Sequence, residues 1–111
     1  ANRTLPKIQS DLSEMYRLAK EAGLKVIALT IPPWGGYSTY NDERHDMMLA
    51  MNAWLRAKPN DVEQVVDVYP LLVCAQRELC EKYAADNIHW NAKAHRLIGE
   101  MLHKQVFSDC E

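Results

Sequence analysis

Asp86 and His89 are the residues of this chain whose types and spacing could do chemistry. They lie in the stretch Asp86-Asn87-Ile88-His89-Trp90-Asn91, just ahead of a helical pattern. An imidazole that takes a proton from a nucleophile and returns it to a leaving group works best when a carboxylate fixes its tautomer and stabilises the imidazolium. One short loop can hold both groups. By spacing alone the pair has a second reading, in which the carboxylate caps backbone amides where a helix begins and the histidine is solvated.

The elements that must position the pair follow from hydrophobic period and punctuation. Asn91 can cap a helix in which Ala94, Leu97, Ile98, Met101, Leu102 and Val106 recur at helical spacing, so the pair sits on a loop leading into that helix. At the other end of the chain, Thr4 caps a predicted helix with Pro6 in its first turn. Ile8, Leu12, Met15, Ala19 and Ala22 form its apolar face, and Gly23 stands in the C′ position. Residues 26–31 are continuously apolar and partly β-branched, the pattern of a parallel strand covered on both faces, and Pro32-Pro33 stops it. After the loop Trp34-Gly35-Gly36-Tyr37-Ser38-Thr39-Tyr40, Asn41 can cap a helix, with Asp42 and Glu43 near its positive end. Met47, Met48, Met51, Trp54 and Leu55 are the expected buried stripe of that helix. Pro59-Asn60-Asp61 reads as a turn, 65–69 as a second strand with Asp67 inside it, and 71–83 as a helix. Helices alternating with parallel strands imply right-handed crossovers and an open α/β sheet.

The D-x-x-H pair with its flanks, together with the segment Lys25 to Pro33 reading K-V-I-A-L-T-I-P-P, resembles the SGNH hydrolases, also called the GDSL-type esterases and lipases. In that family the last sequence block is D-x-x-H before a helix, and its Asp and His are the acid and base of a catalytic triad. The matching residues are Asp86 and His89. Trp90 stands where the family often has a small residue or proline, and Ala94 where it often has glycine; neither change touches the proton-relay groups. The family's nucleophilic Ser in a G-D-S block, its oxyanion-hole Gly and its G-x-N-D block have no counterpart in this sequence. None of Ser10, Ser13, Ser38 and Ser108 follows Gly-Asp at the end of an apolar strand. The resemblance therefore implies that residues 1–111 are the C-terminal part of a single domain, a fragment with a flavodoxin-like three-layer α/β/α arrangement around a parallel sheet. It implies ester hydrolysis through an acyl-enzyme on a small-molecule substrate, with no metal or organic cofactor. It also implies a companion N-terminal chain or self-association. A non-catalytic α/β binding or assembly module that happens to contain D-x-x-H is the alternative from a different class.

Other candidates carry less. Trp34 and Tyr37, with Tyr40 and the two glycines, could line a substrate pocket at the C-terminal end of the first strand, where open α/β sheets place their sites, and Trp90 could join them. They could equally cover the end of the sheet. Gly35-Gly36 lacks the pattern of a phosphate loop. His95 and His103 share the last helix with Glu100, and no third metal ligand falls on their face at suitable spacing. Cys74 and Cys80 fall in one predicted helix, about 9 Å apart along its axis and beyond disulfide reach, so a bond between them would require that helix to break. Half-buried thiols, with Cys110 on the tail, are the expected state.

Composition fits a globular piece and excludes some partners. At 111 residues and 48% hydrophobic the chain can bury one core, removing about 65% of its unfolded surface from water. The net charge of −2, with both signs interspersed, provides no basic stripe for nucleic acid and no cationic amphipathic face. Its apolar runs are too short to span a bilayer, and the first residues lack the apolar core of a signal peptide.

Overall fold

The computed structural model describes residues 4–108, so Cys110 lies outside the described residues. Helix α1, Leu5–Glu21, starts as its sequence dictates. Thr4 Oγ1 accepts the Lys7 backbone N–H at 3.3 Å, and proline occupies the first turn, where a missing N–H costs nothing. It ends at Gly23, whose φ of +82° is reached without strain because glycine has no Cβ. The Gly23 N–H reaches the Lys20 carbonyl at 2.9 Å and the Leu24 N–H reaches the Ala19 carbonyl at 3.0 Å, closing a Schellman cap. The apolar face of α1 is only partly covered: Ile8, Leu12 and Ala19 are half-buried, no residue of the helix is fully buried, and Met15 and Leu18 are 62% and 51% exposed.

Strands β1, Ile27–Leu29, and β2, Gln64–Val66, pair in parallel with Ile27 opposite Gln64 and Leu29 opposite Val66. The ladder runs slightly further, through Glu63 N–H to the Val26 carbonyl at 2.8 Å and Thr30 N–H to the Val66 carbonyl at 3.1 Å. Both strands are shorter than the apolar runs that foretell them. Asp67 lies just beyond β2 rather than inside it, because the chain turns at once into the single-turn helix α3, Tyr69–Leu72, with Pro70 in its first turn. Among the described residues the sheet has these two strands, so the architecture is mixed α/β with a parallel pair.

Helix α2, Asp42–Arg56, connects the strands and buries Met48, Met51 and Leu55 as expected. Its buried face also takes in His45 and Asn52, while Met47 and Trp54 stay half-buried. Both polar side chains have partners, and no buried polar side-chain atom is left without one among the described residues. A lost partner there would cost about 1–3 kcal/mol, so their burial is tolerated only because it is satisfied. Ala28, Leu55 and Val62 form the core here, with Tyr16, Val26, Trp54 and Val65 packed against them and Tyr16 stacked on Trp54 at 6.4 Å.

The helix expected over 71–83 is not formed. After α3 the chain folds into a hairpin, with Val73 bridged to Leu79 and Cys74 joined to Cys80 by a disulfide across Cα atoms 4.9 Å apart. A 3-10 turn, Glu81–Tyr83, follows. The free-thiol expectation for Cys74 and Cys80 is thus corrected, and for the reason the helical spacing gave: the bond exists because the helix is broken. The hairpin tip holds Gln76 and Arg77 at φ of 60° and 63°, a left-handed pair that costs about 1–2 kcal/mol per residue without glycine. Ala75, Gln76 and Glu78, strong helix formers all, lie in this hairpin rather than in an α-helix, so tertiary closure outweighs their local propensity.

The last helix, α4, Ala92–Gln105, starts at Asn91, whose Oδ1 accepts the Ala94 N–H at 3.1 Å, and it buries Ala94 and Ile98. The described chain groups into two compact units, one of residues 4–30 and 43–66 carrying the sheet, the other of 31–42 and 67–108 carrying the candidate site.

Candidate active site

The loop between the 3-10 turn and α4 is tied at both stems. Ala84 bridges Trp90, the Ala85 N–H reaches the His89 carbonyl at 2.9 Å, and the Asn91 N–H reaches the Tyr83 carbonyl at 2.9 Å. Asn91 also donates its Nδ2 to the Lys82 carbonyl at 2.8 Å while its Oδ1 caps α4. Asn91 therefore does the helix capping, and Asp86 is left for another task.

Asp86 performs two. Its Oδ1 accepts the backbone N–H groups of Ile88 at 2.8 Å and His89 at 2.7 Å, which fixes the carboxylate plane. Its Oδ2 lies 2.8 Å from His89 Nδ1. An ionised carboxylate can only accept, so Nδ1 carries the proton and Nε2 of the neutral ring presents its lone pair. That is the tautomer a general base needs. The backbone N–H of His89, then that of Ile88, and then the His89 ring hold the Asp86 carboxyl down at about 2, against an ordinary 3.8. Because the folded value lies below the unfolded one, the tie is fully present above pH 3.8 and is lost as pH falls through about 2. Carboxyl carbon NMR is expected to show Asp86 titrating near 2 together with the Ile88 and His89 amide shifts. A midpoint at the ordinary value would show that the three bonds are not made in solution.

Burial does not hold this pair: His89 is 76% and Asp86 57% side-chain exposed. Beside it runs a cleft of about 520 Å³ on whose wall Asp86 and Asn87 stand with Gly36, Glu78, Leu79 and Glu81. Of the two glycines, Gly35 is a close-approach position against backbone, whereas Gly36 faces only the movable ends of side chains. A Cβ on Gly35 would meet the Arg77 carbonyl oxygen at 2.5 Å, and one on Gly36 would meet Glu78 Oε1 and Asn87 Oδ1 at 3.0 and 3.1 Å. Gly35 also donates its N–H to the Arg77 carbonyl at 3.0 Å, so the hairpin tip is seated directly on the glycine loop. The signal for this was the Gly-Gly pair itself, but its partner lies far along the chain.

The aromatic candidates form two groups. Trp34 meets Tyr37 at 6.4 Å and Tyr40 edge-on at 5.0 Å, within two successive turns closed by Tyr37 N–H to the Trp34 carbonyl and Tyr40 N–H to the Tyr37 carbonyl. Trp90, next to the histidine, packs on His95 of α4 at 5.4 Å. His95 is thereby tied to a ring rather than to a carboxylate. Among the described residues no group of three His, Cys, Asp or Glu is arranged to hold a metal ion, and no helix is long and apolar enough to cross a membrane.

No protein-family model and no curated protein sequence matches this chain. Solved structures do. A protein of Bacteroides fragilis described as an acylhydrolase superposes with a TM-score of 0.85 at 20% identity, covering 100% of this chain and 55% of its own. A GDSL-like lipase from Bacteroides thetaiotaomicron superposes at 0.75 and 19% identity, covering 100% and 56%. The chain thus has the fold of GDSL-like hydrolases, in agreement with the resemblance carried by its sequence, and it spans a little over half the length of these two proteins.

Proposed function

We propose that residues 1–111 are the C-terminal part of one SGNH-type hydrolase domain of three-layer α/β/α form, in which Asp86 and His89 are the acid and base of a Ser-His-Asp triad. The observation that carries this reading is the 2.8 Å contact of Asp86 Oδ2 with His89 Nδ1, made by a carboxylate that two backbone amides already orient. In the complete domain a serine would attack the carbonyl of a small ester, and His89 Nε2 would take its proton and then return it to the leaving alkoxide. Asp86 would stabilise the imidazolium between those steps. Trp34, Tyr37 and Trp90 do not line the cleft beside Asp86, and they are proposed as pocket aromatics of the complete domain. The complete protein is expected to turn over short-chain aryl esters such as p-nitrophenyl acetate without added metal. A complete protein with no G-D-S block upstream and no turnover of such esters would instead be the non-catalytic module.

The proposal extends to the partner. Each strand of the two-stranded sheet has one edge without a strand neighbour among the described residues, and α1 leaves Met15 and Leu18 exposed. Strand edges with no neighbouring strand, and exposed apolar side chains on a helix, each favour association. The companion would be the part of the domain for which the two structural neighbours have counterparts and this chain has none, and without it a second copy. Light scattering of the isolated chain at micromolar concentration is expected to report a dimer or larger species, and a well-folded monomer would contradict this.

A further inference from the structure

We propose that the Cys74–Cys80 disulfide is the positioning device for Asp86 and His89, acting through the 3-10 turn Glu81–Tyr83. The pair is exposed, so packing does not fix it, and its placement rests on ties along the backbone. Those ties lead back to the disulfide without a gap. Cys80 is buried, its N–H reaches the Leu72 carbonyl at 2.8 Å, and its carbonyl accepts the Tyr83 N–H at 2.8 Å. The Tyr83 and Lys82 carbonyls in turn hold the backbone and side chain of Asn91, and the Ala84–Trp90 bridge and the Ala85–His89 bond close the loop that presents Asp86 and His89. On the other side of the bond, the Cys74 N–H reaches the Glu78 carbonyl at 2.8 Å, and the hairpin beyond it rests on Gly35. Disulfide, turn and stems therefore form one frame, with the hairpin as a wall of the cleft and the proton-relay pair at its end. The left-handed Gln76 and Arg77 fit this role, since such residues persist only where the surroundings over-determine them. Cys74 is exposed, which gives a reductant access to the bond.

The consequence for catalysis rests on the reading of Asp86 and His89 as acid and base, but the positioning itself does not, and the test separates the two. Asp86 carboxyl titration is followed by NMR in the 111-residue chain, oxidised and after treatment with tris(carboxyethyl)phosphine. The phosphine supplies two electrons, ends as its oxide with an oxygen from water, and leaves two thiols. The expected result is a titration midpoint that rises from about 2 toward the ordinary 3.8 on reduction and returns on reoxidation, while the Ala94 and Ile98 amide signals of α4 stay in place. The C74A/C80A variant should behave as the reduced chain. In the complete enzyme, reduction should lower kcat about 10- to 100-fold with KM changed far less, as expected when reacting groups are misplaced rather than removed. An Asp86 midpoint that is the same in both redox states overturns the proposal. So does loss of the α4 signals on reduction, which would make the bond a support of the whole fold. Failure of the ester-hydrolase reading alone would leave the titration difference standing.

Discussion

Replacing His89 by alanine in the complete hydrolase domain is expected to lower kcat on a short-chain aryl ester by about 10⁶-fold, because it removes the only group proposed to move the proton between nucleophile and leaving group. Asp86→Asn should cost about 10⁴-fold. The amide can still accept the Ile88 and His89 amides through its oxygen, but its NH₂ faces Nδ1 as a donor and drives the ring into the wrong tautomer. His95→Ala serves as the control. Its ring packs on Trp90 with no carboxylate shown beside it, so the loss should stay within a few-fold. The three effects are read from steady-state kinetics. Equal losses at His89 and His95 would mean that the wrong histidine, or the wrong mechanism, has been assigned.

The isolated 111-residue chain is expected to hydrolyse nothing above a His89→Ala control. A base and its orienting carboxylate cannot replace a nucleophile and an oxyanion hole, and the loss of even one oxyanion donor costs about 3 kcal/mol in a complete serine hydrolase. Adding an N-terminal part bearing the Ser, Gly and Asn blocks should restore turnover if the parts associate. Turnover of p-nitrophenyl acetate by the purified chain, dependent on His89, would require a nucleophile within it, and Ser38 in the glycine-aromatic loop would be the first to replace. That serine is a poor candidate, since it lies in a turn rather than at the sharp strand-to-helix elbow that exposes a catalytic serine.

What was legible in the sequence is what short-range chemistry decides. The Thr4 cap and the Gly23 stop of α1 each involve partners within a few residues, and both are formed as read. The Asp86–His89 contact and the Asn91 cap of α4 are equally local. The apolar runs located the strands but overshot their ends, because hydrophobicity continues past Val66 into residues that bury themselves in α3 and after. Residues 71–83 were misread because their helical propensity is high and nothing in the spacing of Cys74 and Cys80 separates a helix from a closed hairpin. The burial of His45 and Asn52 was invisible for the opposite reason: a polar type signals exposure unless its partner is known. The close approach at Gly35 was not read from the Gly-Gly pair, because its partner Arg77 lies far along the chain.

The central claim, that Asp86 and His89 activate a serine, is tested most directly by the rate at which the complete protein reacts with a fluorophosphonate probe, with and without His89. Such a probe is captured by a serine whose proton an adjacent base removes. The expected result is a single labelled serine lying in a G-D-S block outside residues 1–111, labelled orders of magnitude more slowly in the His89→Ala variant and at nearly the native rate in His95→Ala. Labelling that is unaffected by His89→Ala, or the absence of any labelled serine in a folded complete protein, would contradict it.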